Sequence, residues 1–293
     1  MDHGNHDSPV SETTIPQGTI RYGDTGSGEP LLFVHGLLTD GSLWRKVVPL
    51  LDGEHRCIVP DWPLGSHVAP IDPDADLSPP GLARVIADFA EALDLDGVTL
   101  VGNDTGGAIC QLVATRHPDR LARLVLTNCD AYQNFLPPMF RPLQVIARIP
   151  GAVWPIAQSM RLTALRHAPN AFGWLSKHGP DPEITRAWIE PSLNSREVRR
   201  DVAKFLRGIS SSYTLEAAER LPEFDRPTLI AWAPEDRFFK FDYAERLAAA
   251  IPNVRLERID DSWTYVSEDQ PERVAELIRS FVLETATEGT KAS

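Results

Sequence analysis

An apolar run over residues 98–101 stops at Gly102, and Asn103-Asp104-Thr105-Gly106-Gly107-Ala108 then opens a helical pattern through Ile109, Cys110, Leu112 and Val113. That order predicts a strand, a sharp turn and a helix. The frame Gly102-x-Asp104-x-Gly106 fits a nucleophile elbow, whose flanking glycines let the backbone take a strained turn that lifts the central side chain above a sheet. Here the central residue is an aspartate. A carboxylate attacking an ester would produce a high-energy anhydride, so a nucleophilic Asp suits saturated carbon, as in an epoxide or an alkyl halide. The same carboxylate can instead hold or move a proton.

The elements that position this turn follow from the flanking pattern. Residues 1–17 are polar and acidic and are expected to form a flexible tail; 19–22 form a first strand. The run Leu31-Leu32-Phe33-Val34 has no alternation, which predicts a strand covered on both faces. A helix is expected over 41–51 and a strand over 57–59. Ser78 is placed to cap a helix that has Pro79 and Pro80 in its first turn and Leu82, Val85, Ile86, Phe89 and Leu93 at helical spacing. Strand and helix alternate through a further strand at 121–126, the pattern of a mostly parallel sheet with helices on both faces. From 131 to 221 frequent prolines break up short amphipathic pieces, and this stretch reads as a helical cap inserted over the sheet. Strand 228–232, helix 242–250, strand 254–259 and a last helix opening at Pro271 complete a core of 18–130 and 222–284. A polar tail is expected over 285–293.

Composition excludes several functions. The net charge of −12 over 293 residues repels phosphate backbones and anionic lipid, and no run of Lys or Arg makes a local exception, so neither nucleic acid nor membrane is expected as a partner. Cys57, Cys110 and Cys129 lack metal-ligand or redox spacing and read as buried thiols; no metal and no cofactor is expected. The first residues lack a signal peptide's basic start and apolar core, and no apolar run is long enough for a membrane span, which together suggest a soluble cytoplasmic protein.

Three groups of residues carry a resemblance to the α/β-hydrolase superfamily over nearly all of 18–284: His35-Gly36 after the third strand, the turn at Asp104, and Ala233-Pro234-Glu235-Asp236 after a late strand. The resemblance implies an oxyanion hole from the backbone amides of Leu37 and Thr105, and puts Asp236 where the family has the acid that orients a catalytic histidine. An aspartate elbow is similar to the branch of haloalkane dehalogenases and epoxide hydrolases, in which Asp forms an alkyl ester and His activates the water that cleaves it. The family's histidine lies seven residues before the proline of the last helix. Counting back from Pro271 gives Thr264, which takes no proton near neutral pH. Dehalogenases also place Trp after the nucleophile and Asn after His-Gly as halide donors; this chain has Thr105 and Leu37.

Other histidines are weighed as substitutes for the base. His67 follows a strand, in a loop where solvent is the ordinary surrounding; His167 and His178 lie in the cap; His117 sits at a helix end; His55 precedes a strand and is expected to be exposed; His35 shapes the oxyanion loop. Asp130 is a second candidate for the acid. The expected function is an enzyme acting on a small, largely apolar substrate with Asp104 as nucleophile, in the manner of an epoxide hydrolase. Two alternatives stay open: a lyase, isomerase, cyclase or dehydratase using Asp104 as acid and base, and a ligand-binding protein without catalysis.

Overall fold

In the computed structural model, which describes residues 10–291, the unalternating apolar runs become the centre of one eight-stranded sheet. Strands β1 (Val10–Ile15), β2 (Gly18–Thr25), β3 (Pro30–Val34) and β4 (Arg56–Pro60) precede helix α1 (Pro79–Ala92). Then follow β5 (Val98–Asp104), α2 (Thr105–Arg116) and β6 (Leu121–Cys129). The spatial order is β1-β2-β4-β3-β5-β6-β7-β8; the pairs β1/β2 and β2/β4 are antiparallel and all others parallel. β5 lies between β3 and β6, and every residue of it is buried. Leu32 and Val34 join the cluster under α1 and α2, whereas Leu31 and Phe33 face the opposite layer, so both sides of each central strand must be apolar.

Between β6 and the strand β7 (Thr228–Trp232) the chain inserts six short helices: α3 (Pro142–Ala147), α4 (Val153–Ser159), α5 (Thr163–Arg166), α6 (Pro182–Asn194), α7 (Arg196–Gly208) and α8 (Ser211–Arg220). Asp181 and Ser195 cap α6 and α7 by accepting hydrogen bonds from first-turn amides. The core resumes with β7, α9 (Phe241–Ala250), β8 (Val254–Arg258), α10 (Val266–Asp269) and α11 (Pro271–Lys291).

Three expectations need correction. Residues 10–15 are not tail but the edge strand β1, paired in register with β2; residues 1–9 lie outside the described residues. The helix expected over 41–51 is instead two 3₁₀ turns, Gly41–Trp44 and Val48–Leu50, because Pro49 has no N–H to continue a ladder and Asp40 caps the first turn on Ser42. The polar end expected as a tail from 285 continues α11 to Lys291.

Candidate active site

Asp104 is the last residue of β5 and α2 starts at the next, so its side chain stands at the carboxyl edge of the sheet and at a helix N-terminus. Its backbone is left-handed, φ 55° and ψ −134°, a conformation that a non-glycine residue holds only when its surroundings force it. The surroundings do so through close approach. A Cβ at Gly106 would run into the backbone of Val34 and His35, and one at Gly36 would overlap the Asp104 carboxylate. These glycines let β3, the 35–38 loop and the turn close on one another.

The amides of Thr105 and Leu37 both point at the Asp104 carboxylate. Burial nevertheless pushes its pKa up to about 7, with the charge of Asp236 adding to the rise and the two amides opposing it. Asp130, fully buried behind the turn, accepts a hydrogen bond from the Thr105 hydroxyl at 3.3 Å, and its other oxygen has no partner. Burial, reinforced by Asp104, holds it well above the usual carboxylate range. With two amides on Asp104 and one hydroxyl on Asp130, the proton resides on Asp130 and Asp104 ionises first.

Asp236 follows β7 in a turn that satisfies it from four directions. The amides of Phe238 and Phe239 donate to one oxygen at 2.7 and 3.0 Å; Asn128 donates to the other at 2.8 Å, and so does the Thr264 hydroxyl at 2.9 Å. Burial raises its pKa to about 6 against these donors. Asp236 and Thr264, both expected at the site from the sequence, are thus hydrogen-bonded directly to each other. Asn103 fixes the backbone behind Thr264, donating to its carbonyl at 2.7 Å and to the Thr127 hydroxyl at 2.9 Å. Asn103 and Asn128 were missed in the sequence. Their signal was a polar residue at the end of an otherwise apolar strand, where a buried amide needs partners.

Among the described residues, no histidine lines the cavity above Asp104. His35 accepts the Trp62 amide at 2.8 Å on Nε2, and burial lowers its pKa to about 4, so it is a neutral brace of the loop. His67 is not solvated: it is buried and reaches Asp201 at 3.3 Å, because α7 covers its loop. His55 is likewise buried rather than exposed, and both its ring nitrogens lack partners. His167 binds Thr185 at 3.0 Å and His178 lies beside Asp261, both away from the cavity. His117 ends α2 as its C-cap.

The cavity itself holds about 370 Å³. Asp104 and Thr105 form its floor with Leu37, and its walls come from the inserted segment, including Leu143, Ile146, Met160 and Phe172. Among the lining residues the only side-chain amide is Asn170, and there is no indole. Such a space fits a small, mostly apolar molecule presented to one carboxylate.

The chain has known relatives. The sequence profile of the alpha/beta hydrolase fold family matches residues 29–271. The chain belongs to the alpha/beta hydrolase fold family. Within that family it is 30% identical to cis-3-alkyl-4-alkyloxetan-2-one decarboxylase of Shewanella oneidensis, over 94% of this chain and 88% of the relative. It is 28% identical to haloalkane dehalogenase 2 of Mycobacterium tuberculosis, over 89% of this chain and 91% of that one. The crystal structure of DbjA superposes with a TM-score of 0.78 at 20% identity, covering 96% of this chain and 99% of that one, a likeness of fold.

Proposed function

We propose that this hydrolase-fold enzyme uses Asp104 as a nucleophile in a ring-opening reaction that needs no activated water, with a dialkyl β-lactone as the substrate class. The observation that carries the reading is Thr264 on Asp236: the place for a water-activating base holds a hydroxyl that is already donating to the acid. The inserted segment 131–221 then acts as a cap that supplies an apolar chamber for the two alkyl chains.

An oxetan-2-one can be consumed by a carboxylate alone. Asp104 attacks the saturated ring carbon bonded to the ring oxygen; that C–O bond breaks, and its electron pair leaves on the freed substrate carboxylate. Next the bond between that carboxylate and its neighbouring carbon breaks, carbon dioxide departs, and the pair forms the alkene. The ester oxygen returns with its own pair to Asp104. Neither water nor a proton enters the balance. The amides of Leu37 and Thr105 support the ionised nucleophile, and the protonated Asp130 avoids a second charge behind it. The relation to an oxetanone decarboxylase is consistent with this chemistry.

The hydrolytic reading is second. The dehalogenase relative favours it, but a dehalogenase route needs a base and halide donors, and the cavity walls hold neither imidazole nor indole. Incubation with a cis-dialkyl oxetan-2-one, followed by gas and mass analysis, tests the proposal. Alkene and carbon dioxide in equal amounts, without β-hydroxy acid, is the expected result. Formation of the hydroxy acid, or turnover of epoxides to diols at a similar rate, would overturn it in favour of a hydrolase.

A further inference from the structure

No Asp or Glu occurs between Asp130 and Asp181, although the chain has 41 acidic residues, and this stretch contains Arg141, Arg148, Arg161, Arg166 and Lys177. Over 131–221 there are 12 Lys and Arg against 7 Asp and Glu, so the insertion is positive on a chain whose net charge is −12. The fold then adds a second feature. More than half of the large apolar side chains exposed among the described residues fall between positions 139 and 165, with Ile149 56% exposed, Trp154 53% and Leu162 62%. A typical soluble surface scatters such residues singly.

The apolar and cationic groups share one face. Ile149 and Trp154 line a groove of about 550 Å³ together with Arg196, Arg199, Arg200 and Arg207, and Glu197 is the single carboxylate in its walls. Arg199 and Arg207 reach only backbone carbonyls within hydrogen-bond distance, so their charge is not neutralised by an acid there. Helices α3 and α4 border both spaces: Ala147, Val153 and Trp154 line the groove, and Leu143, Ile146 and Ile156 line the cavity.

From these features we infer that this face of the insertion docks on an anionic lipid bilayer surface. Ile149, Trp154 and Leu162 enter the boundary between headgroups and acyl chains, and the arginines meet lipid phosphates. No described helix is long and apolar enough to cross a bilayer, so the protein lies on the surface rather than in it. The overall negative charge does not prevent this. At physiological salt the Debye length is about 8 Å, so only the charges nearest the bilayer count, and these are cationic. Under this inference the expectation drawn from net charge, that anionic lipid is repelled, does not apply to this face, because α7 carries four arginines within positions 196–207 and packs them beside Ile149 and Trp154. The inference stands whether or not the proposed lactone chemistry is correct.

Sedimentation of the full chain with phosphatidylcholine vesicles, with and without phosphatidylglycerol, is the test. The wild type is expected to sediment with the anionic vesicles only, and less as salt rises. Two double variants remove the two features separately: Ile149→Ser with Trp154→Ser, and Arg148→Glu with Arg196→Glu. All four side chains are exposed, so the thermal midpoint should not move, while partitioning falls by about tenfold or more in each. Absence of wild-type binding to anionic vesicles, or binding unchanged in both variants, would overturn the inference. So would a vesicle-independent dimer, seen by analytical ultracentrifugation and abolished by the Ile149→Ser pair, which would assign the face to a second copy of the chain.

Discussion

As the proposed nucleophile, Asp104 must be ionised to attack, yet it is buried with two other carboxylates, and their different hydrogen-bond partners separate the three. Asp104→Asn removes the proposed nucleophile and should lower turnover of a β-lactone by ~10³-fold or more, measured as kcat/KM. Asp130→Asn replaces a group already neutral at working pH, and should leave the rate within about threefold. A large loss in Asp130→Asn would instead make Asp130 the working acid. Because the charge of Asp236 raises the pKa of Asp104, Asp236→Asn should move the ascending limb of the pH–rate profile from about 7 toward lower pH; a limb that stays in place would show that the two do not communicate. Thr264→His supplies a base on Asp236 and should divert the alkyl ester from alkene to β-hydroxy acid. The larger ring enters a fully buried site, so a stability loss of ~1–3 kcal/mol is expected alongside the change of product.

At the scale of elements, the site depends on how closely β3, β5 and the first turn of α2 approach one another. Gly36 and Gly106 mark the two tightest places, and they differ in what stands in the way. At Gly106 the obstacle is the backbone of Val34 and His35, which cannot move without parting two central strands. At Gly36 it is the Asp104 side chain. Gly106→Ala is therefore expected to lower the denaturant midpoint strongly, by ~3 kcal/mol or more in stability. Gly36→Ala should have a smaller effect on stability but displace the carboxylate from the Leu37 and Thr105 amides, with activity falling by at least ~10²-fold. Equal stability losses in the two variants would refute this separation.

For the molecule as a whole, carboxyls buried at the site make stability depend on pH. A folded-state pKa raised above the unfolded value means that the native protein retains a proton that the unfolded chain releases. The contribution is fully present below about pH 4 and is lost as pH rises through the folded value, here about 7 for Asp104. His35, lowered to about 4, acts in the opposite sense below its normal titration range, so the total curve mixes signs. The difference between Asp104→Asn and wild type reports the Asp104 carboxyl together with its coupling to Asp130 and Asp236. From pH 5 to 7 the variant should gain stability over wild type by ~1.4 kcal/mol per pH unit, then level off, as read from chemical denaturation at each pH. A pH-independent difference would place the Asp104 carboxyl at an ordinary pKa.

The sequence by itself determined the layers and the turn. Apolar runs without alternation, such as Leu31 to Val34, fit only strands covered on both faces, and the Gly102-x-Asp104-x-Gly106 frame fits only a chain reversal that raises the Asp104 side chain; both are local consequences of side-chain and backbone chemistry. Asp236 and Thr264 were also legible, because each lies at a fixed count from a neighbouring strand or helix. Tertiary structure decided everything that depends on what approaches from far along the chain. His67 is buried only because α7 lies over its loop, and Asn103 and Asn128 matter only because the 264 and 236 loops pass within reach of their amides. Residues 10–15 have an alternating, weakly apolar pattern that reads as tail until β2 offers its edge. Likewise the arginines of α7 join Ile149 and Trp154 on one face through the packing of α3, α4 and α7, contacts between positions about 45 residues apart that no periodicity within a single helix encodes.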